Sequence, residues 1–78
     1  MEIEELKKIA EENDYWDFGI RGEYHTFVRE RDGASIGISI LELNKILFLD
    51  NDQCEKTDFN VIKAAIKFTE TPISERGY

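Results

Sequence analysis

The sequence predicts an α+β domain: a helix, an antiparallel meander of three to four strands, and a second helix, with both helices on one face of the sheet. Three observations predict it. Ile3, Leu6, Ile9 and Ala10 recur at helical spacing; a two-residue alternation runs from Tyr15 to Ile40; and helical spacing returns from Phe59 to Thr69.

Residues 2–12 read as the first helix, with Glu2, Glu4 and Glu5 at the dipole end that favours anions and Glu4 able to pair with Lys8. Glu11 and Glu12 fall at the disfavoured end, and Asn13-Asp14 is the expected stop. Trp16, Phe18 and Ile20 share one face of the first strand, with Tyr15, Asp17 and Gly19 opposite. The second strand is expected over residues 24–31, then a two-residue type I′ turn at Asp32-Gly33. The third strand places Ile36, Ile38 and Ile40 on one face and Ser35, Gly37 and Ser39 on the other. The apolar run Ile46-Leu47-Phe48-Leu49 is the expected fourth strand, with a buried helical turn as the alternative that periodicity leaves open at this length. After a polar loop at residues 50–56, the second helix is capped by Thr57 or Asp58. Its inner face is Phe59, Ile62, Ala65, Ile66 and Thr69, with Phe68 at the margin. Thr71-Pro72 ends it, and Thr71 can cap a short new turn. The helices are expected to cover the Trp16, Phe18 and isoleucine side of the sheet.

At 78 residues the chain is one domain with a thin core, because a chain this short buries only roughly 60–65% of its unfolded surface. Its 41% hydrophobic and 12% aromatic content is enough to fold. The single cysteine, Cys54, excludes an internal disulfide. No apolar run approaches membrane-spanning length and the N-terminus is acidic, so a cytoplasmic location in a bacterial host cell is expected. The net charge of −7 disfavours direct binding to nucleic acid or an anionic membrane and favours a basic protein partner.

No catalytic pattern is recognisable among the residue types that carry such chemistry. His25 is the sole histidine and lies mid-strand, so no multi-histidine metal site can form and no nucleophile has motif spacing to it. Cys54 sits among carboxylates, which blunt a thiol's reactivity. The loop beginning at Asp50 departs from a calcium loop, with Glu55 where glycine is required and Val61 where a bidentate glutamate is required. No phosphate loop is present, and Arg29 and Arg31, on one strand face with His25 and Phe27, are read as cross-strand ion-pair partners. The reading is of a non-enzyme that takes no cofactor or metal.

What remains is acid. Glu11, Glu12, Asp14 and Asp17 form one cluster, and Asp50, Asp52, Glu55 and Asp58 a second. Should both lie at one end of the fold, they would merge into an anionic surface able to imitate a nucleic-acid backbone in a basic groove; taken singly, each reads as a solvated rim.

The segment from Asn60 to Arg76 carries the pattern N-x-I-K-A-x-I-x-x-x-x-T-P-I-x-E-R. It resembles a stretch common in small uncharacterised proteins of phages and prophages of Gram-positive bacteria, where it joins a helix to a further charged part; this sequence ends at Gly77-Tyr78. The resemblance implies phage origin and no particular activity. The layout and charge also resemble small anti-CRISPR proteins, by analogy of fold and without a shared motif. The expectation is therefore a phage- or prophage-encoded binding protein that occupies a basic, nucleic-acid-handling or defence protein of the host. The alternative is an assembly accessory that forms homodimers or docks through an exposed strand or the open sheet face, using Tyr15, Tyr24 and Phe27.

Overall fold

The first helical pattern is realised as α1 (Ile3–Glu12), whose Ile3, Leu6 and Ala10 are buried. Asn13 closes it, and Asp14 turns the chain through a positive φ of 65°. Four strands follow: β1 (Tyr15–Arg21), β2 (Tyr24–Arg29), β3 (Ser35–Ser39) and β4 (Ile46–Phe48). They form one antiparallel sheet in the order β1-β2-β3-β4, the meander expected. The chain then runs through α2 (Lys56–Thr69) to a single 3₁₀ turn at Ile73–Glu75. This computed structural model describes residues 1–48 and 53–78. Leu49, Asp50, Asn51 and Asp52, and with them part of the expected fourth strand and polar loop, lie outside the described residues.

Both helices pack on one face of the sheet and against each other. The core between the layers is built from Leu6, Tyr15, Phe27, Ile36, Ile38, Val61, Ala65 and Phe68. The covered face differs from expectation on β1. Tyr15 is 2% exposed, whereas Trp16 and Phe18 point away from the helices at 49% and 41%. The reason is register. Tyr15 stands opposite Arg29 and Asp17 opposite Phe27, on the side that β2 presents to the helices. A bulge between Asp17 and Gly19 leaves Phe18 without a partner, and Gly19 takes a φ of 84°. The alternation is reset there, so Ile20 comes opposite His25 at the strand end and is 52% exposed.

The β2–β3 connection is likewise longer than a type I′ hairpin, which would need positive φ at both central residues. Only Gly33 has it (79°); the Gly33 N–H donates to the Arg29 carbonyl at 2.9 Å, and Asp32 is held by the Arg29 side chain. On α2 the buried residues are Asp58, Val61, Ala64, Ala65, Phe68 and Thr69; Phe59 and Ile66, expected inside, are each 48% exposed. Phe68, expected at the margin, is fully buried.

The segment after α2 is fastened by Arg76, which is fully buried. Its guanidinium donates to the carbonyls of Thr71 (2.9 Å), Ser39 (2.7 Å) and Thr69 (3.1 Å), and stands 4.9 Å over the Phe68 ring. The Ile3 N–H in turn donates to the Arg76 carbonyl at 2.6 Å. The T-P-I-x-E-R pattern thus acts as a clasp across the end of α2, the end of β3 and the start of α1. Among the described residues, no helix is long and apolar enough to cross a membrane.

Candidate partner-binding face

The face of the sheet away from the helices carries side chains of one parity. On β1 these are Trp16 and Phe18, and on β2 they are Tyr24, Thr26 and Val28, with Trp16 directly opposite Val28. The Trp16 and Phe18 rings meet edge to face at 5.6 Å, and the Arg21 guanidinium lies 4.1 Å over Phe18. Tyr24 leans across the sheet onto Gly37, where an added Cβ would sit 3.0 Å from the Tyr24 Cβ. Leu47 of β4 is exposed, as are Leu41 and Leu43 in the connection before it. A shallow groove of about 410 Å³ is lined by Phe18, Arg21, Thr26, Val28, Gly33 and Ser35. Beside it, a groove of about 430 Å³ is lined by Glu11, Tyr15, Trp16 and Glu30, so one end of the apolar face is rimmed by carboxylates.

Three of the expected acidic contacts are exposed at this end: Glu11 and Glu12 in the last turn of α1, and Asp14 at the turn. None of the three, nor Glu30, is in an ion pair among the described residues. Asp17 is different. It accepts from the Gly19 N–H (2.8 Å), faces the His25 Nε2 (2.8 Å) and lies 3.5 Å from the Lys7 ammonium. Burial works against its charged form, but these donors outweigh it and hold its carboxyl below the usual range. Glu55 is exposed and paired with Arg31 at 3.2 Å, at the N-cap of α2. Asp50 and Asp52 fall outside the described residues.

Asp58 is fully buried, and this corrects its reading as a surface contact. It accepts from the Tyr15 hydroxyl (2.9 Å), Arg29 Nη1 (3.1 Å), Arg31 Nη2 (3.3 Å) and the Glu55 N–H (2.7 Å). Desolvation opposes its charge, yet these donors keep its carboxyl below the ordinary range. Burial, then the neighbouring Asp58, push the Tyr15 phenol up. Arg29 is itself buried, gripping both oxygens of Asp32 at 2.8 and 2.6 Å, which lowers that carboxyl to about 2. Arg29 and Arg31 do form ion pairs, but with the loop and α2 rather than across strands. Tyr15 and Phe27, expected as docking residues, are core; Tyr24 alone of that trio is on the open face.

Among the described residues, the turn after α1 and the first turn of α2 lie at one end of the fold. The Asn60 amide donates to Asn13 Oδ1 at 2.9 Å, and a groove of about 410 Å³ is lined by Asn13, Asp14, Arg29, Glu30, Arg31 and Thr57. Arg29 and Arg31 line this groove together with Asp14 and Glu30, so among the described residues it is of mixed charge. His25 is buried and stacked on Phe27 at 5.0 Å, with Asp17 at one ring nitrogen and the Tyr78 hydroxyl 3.4 Å from the other. Among the described residues, no group of three or more His, Cys, Asp or Glu side chains is placed to hold a metal.

Sequence reasoning missed Trp16, Phe18 and Glu30 as surface groups. The signal was in Asp17-Phe18-Gly19, where a glycine interrupting an aromatic strand marks a bulge.

Comparison with known proteins places no family on the chain. No protein-family profile matches it, and no solved structure matches it. It is 35% identical over 68 residues to a part of the biosynthetic arginine decarboxylase of Prochlorococcus marinus (strain MIT 9515). The matched segment is 87% of this chain and 10% of that enzyme, so the chain spans about a tenth of its length.

Proposed function

We propose that this chain is a non-catalytic protein-binding module that occupies a basic protein through the open face of its sheet. Its source is phage or prophage, on the resemblance of its C-terminal segment. The observation that supports this best is Trp16: an indole half exposed on a flat sheet face, braced by Phe18 and bordered by Glu11 and Glu30. Contiguous exposed aromatic surface of this kind is favoured at binding faces, and Trp and Tyr dominate interface energetics. An apolar anchor of the partner fits over Trp16, Phe18 and Val28, and its lysine or arginine side chains meet Glu11, Asp14 and Glu30. The net charge of −7 speeds encounter with a basic surface. A nucleic-acid-handling or defence enzyme of the host has the right charge, and covering its groove would exclude its substrate.

The test is an affinity capture from lysate of a Gram-positive host, nuclease-treated, comparing the wild-type chain with Trp16→Ser and with Glu4→Gln. One basic protein, retained by Glu4→Gln, lost with Trp16→Ser and released by added salt, is the expected result. A captured protein that Trp16→Ser still holds, or that salt does not release, sinks this reading.

A further inference from the structure

The second exposed apolar surface lies on the opposite side of the molecule. With Val61, Ala65 and Phe68 of α2 facing the sheet, the opposite strip at about 100° per residue is Phe59, Lys63 and Ile66. Ile62 borders it on one side and Lys56 and Lys67 on the other. Phe59 and Ile66 are each 48% exposed. None of the three lysines is in an ion pair among the described residues. In a chain of net charge −7, this is an apolar strip with a basic border.

We propose that the occupant of this strip is the open sheet face of a second copy of the same chain. The two surfaces match in both respects that matter. Phe59 and Ile66 offer apolar area to Trp16 and Phe18, and Lys56, Lys63 and Lys67 offer cations to Glu11, Asp14 and Glu30. Pairing like with like does not work. An α2-on-α2 two-fold sets the lysine border against itself, and a sheet-on-sheet two-fold sets the carboxylate rim against itself. Because the complementary faces lie on opposite sides of a two-layer fold, the contact is head to tail and does not close on itself. Stacking therefore covers the sheet face of every copy but the last, and competes with any other partner for Trp16. The inference rests on the same exposed sheet face as the binding reading above, and the two fail separately.

Sedimentation velocity of the full chain across a concentration series tests it, near 0.15 M ionic strength, where the repulsion between copies is screened beyond roughly 8 Å. Wild type is expected to grow past the dimer as concentration rises. Trp16→Ser and Ile66→Glu, each checked to be fully folded at the temperature of the run, are each expected to associate at least about tenfold more weakly. Mixed, they retain one intact pair of faces and should form a 1:1 heterodimer that grows no further. A wild type that stays monomeric, one that stops at a symmetric dimer, or a mixture that does not pair overturns the proposal. Trp16-dependent capture of a host protein by a strictly monomeric chain overturns the stacking alone and leaves the binding reading standing.

Discussion

Asp58 and Arg76 make opposite use of burial. Asp58 is a buried carboxylate whose every neighbour is a donor, so removing it strands the Tyr15 hydroxyl and part of two guanidinium groups. Breaking a buried pair in this way costs about 3–5 kcal/mol. Asp58→Ala should lose that much in a urea melt, with most of the penalty remaining in Asp58→Asn, whose amide can no longer match all the donors. The pH dependence follows from the direction of the shifts. The carboxyls of Asp17, Asp32 and Asp58 are all held below the ordinary aspartate range, so the folded state holds fewer protons than the unfolded chain in that region. Their stabilisation is complete above about pH 4–5 and is lost as pH falls through the folded values, to about 2 for Asp32. Tyr15 shifts the other way: its contribution is complete below its ordinary value of 10.0 and is lost as the pH rises beyond it. These four groups should therefore leave the melting temperature unchanged between about pH 5 and 9 and lower it on both sides. In Asp58→Asn the acid limb should become shallower. Arg76 is a buried cation with carbonyl partners, and Arg76→Met removes a donor from the Thr71, Ser39 and Thr69 carbonyls, of which Thr69 keeps the Asn44 N–H. At roughly 1.5–3 kcal/mol for a hydrogen bond to a charged group, with partial rescue by water, a loss of about 3 kcal/mol is expected, and Arg76→Lys should not restore it.

At the scale of elements, α2 is apolar on two sides, and this is why its inner face was misjudged. Phe59, Ile62 and Ile66 obey the helical period as well as Val61, Ala65 and Phe68 do, so the period identifies the helix without fixing its rotation. Truncation discriminates between the two faces: Phe68→Ala should cost about 3–5 kcal/mol, and Phe59→Ala and Ile66→Ala less than about 1 kcal/mol each. Strand β1 poses the same problem at a period of two. Its Trp16, Phe18 and Ile20 set looks like a core face until the bulge and the register with β2 are known. Gly37 reports on the outer face, because a valine there would press its Cβ against the Tyr24 Cβ, 3.0 Å away. Gly37→Val should destabilise by about 1–3 kcal/mol, with partial recovery in a Tyr24→Ala background.

At the scale of the whole molecule, charge and hydrophobicity are segregated. The helical layer keeps the acidic outer face of α1 and the basic, apolar strip of α2; the sheet keeps its aromatic face uncovered. A chain this short has two helices and four strands to bury, and one sheet face is all that two helices cover. The uncovered face is the cost of a two-layer design, and it is the surface on which the binding proposal rests. Trp16→Ser should abolish binding while the chain stays folded, at a stability cost of about 1–2 kcal/mol, since the buried half of the indole packs on Phe18 and opposite Val28.

The sequence by itself determined the element order, the antiparallel meander, the ends of α1, the break at Pro72 and the acid-rich character of the chain. Each of these depends on local chemistry: a period, a cap, a turn residue or a formal charge. Tertiary structure alone decided which apolar set faces inward, which of the described carboxylates remain at the surface and which sheet face stays uncovered. Trp16 and Phe59 satisfy the same periodic rule as buried residues, and Asp58 carries the same formal charge as Asp14. The register of β1 on β2, with Tyr15 and Arg29 meeting Asp58 from a distant part of the chain, sets the phase of β1 and α2 and so turns Trp16 outward.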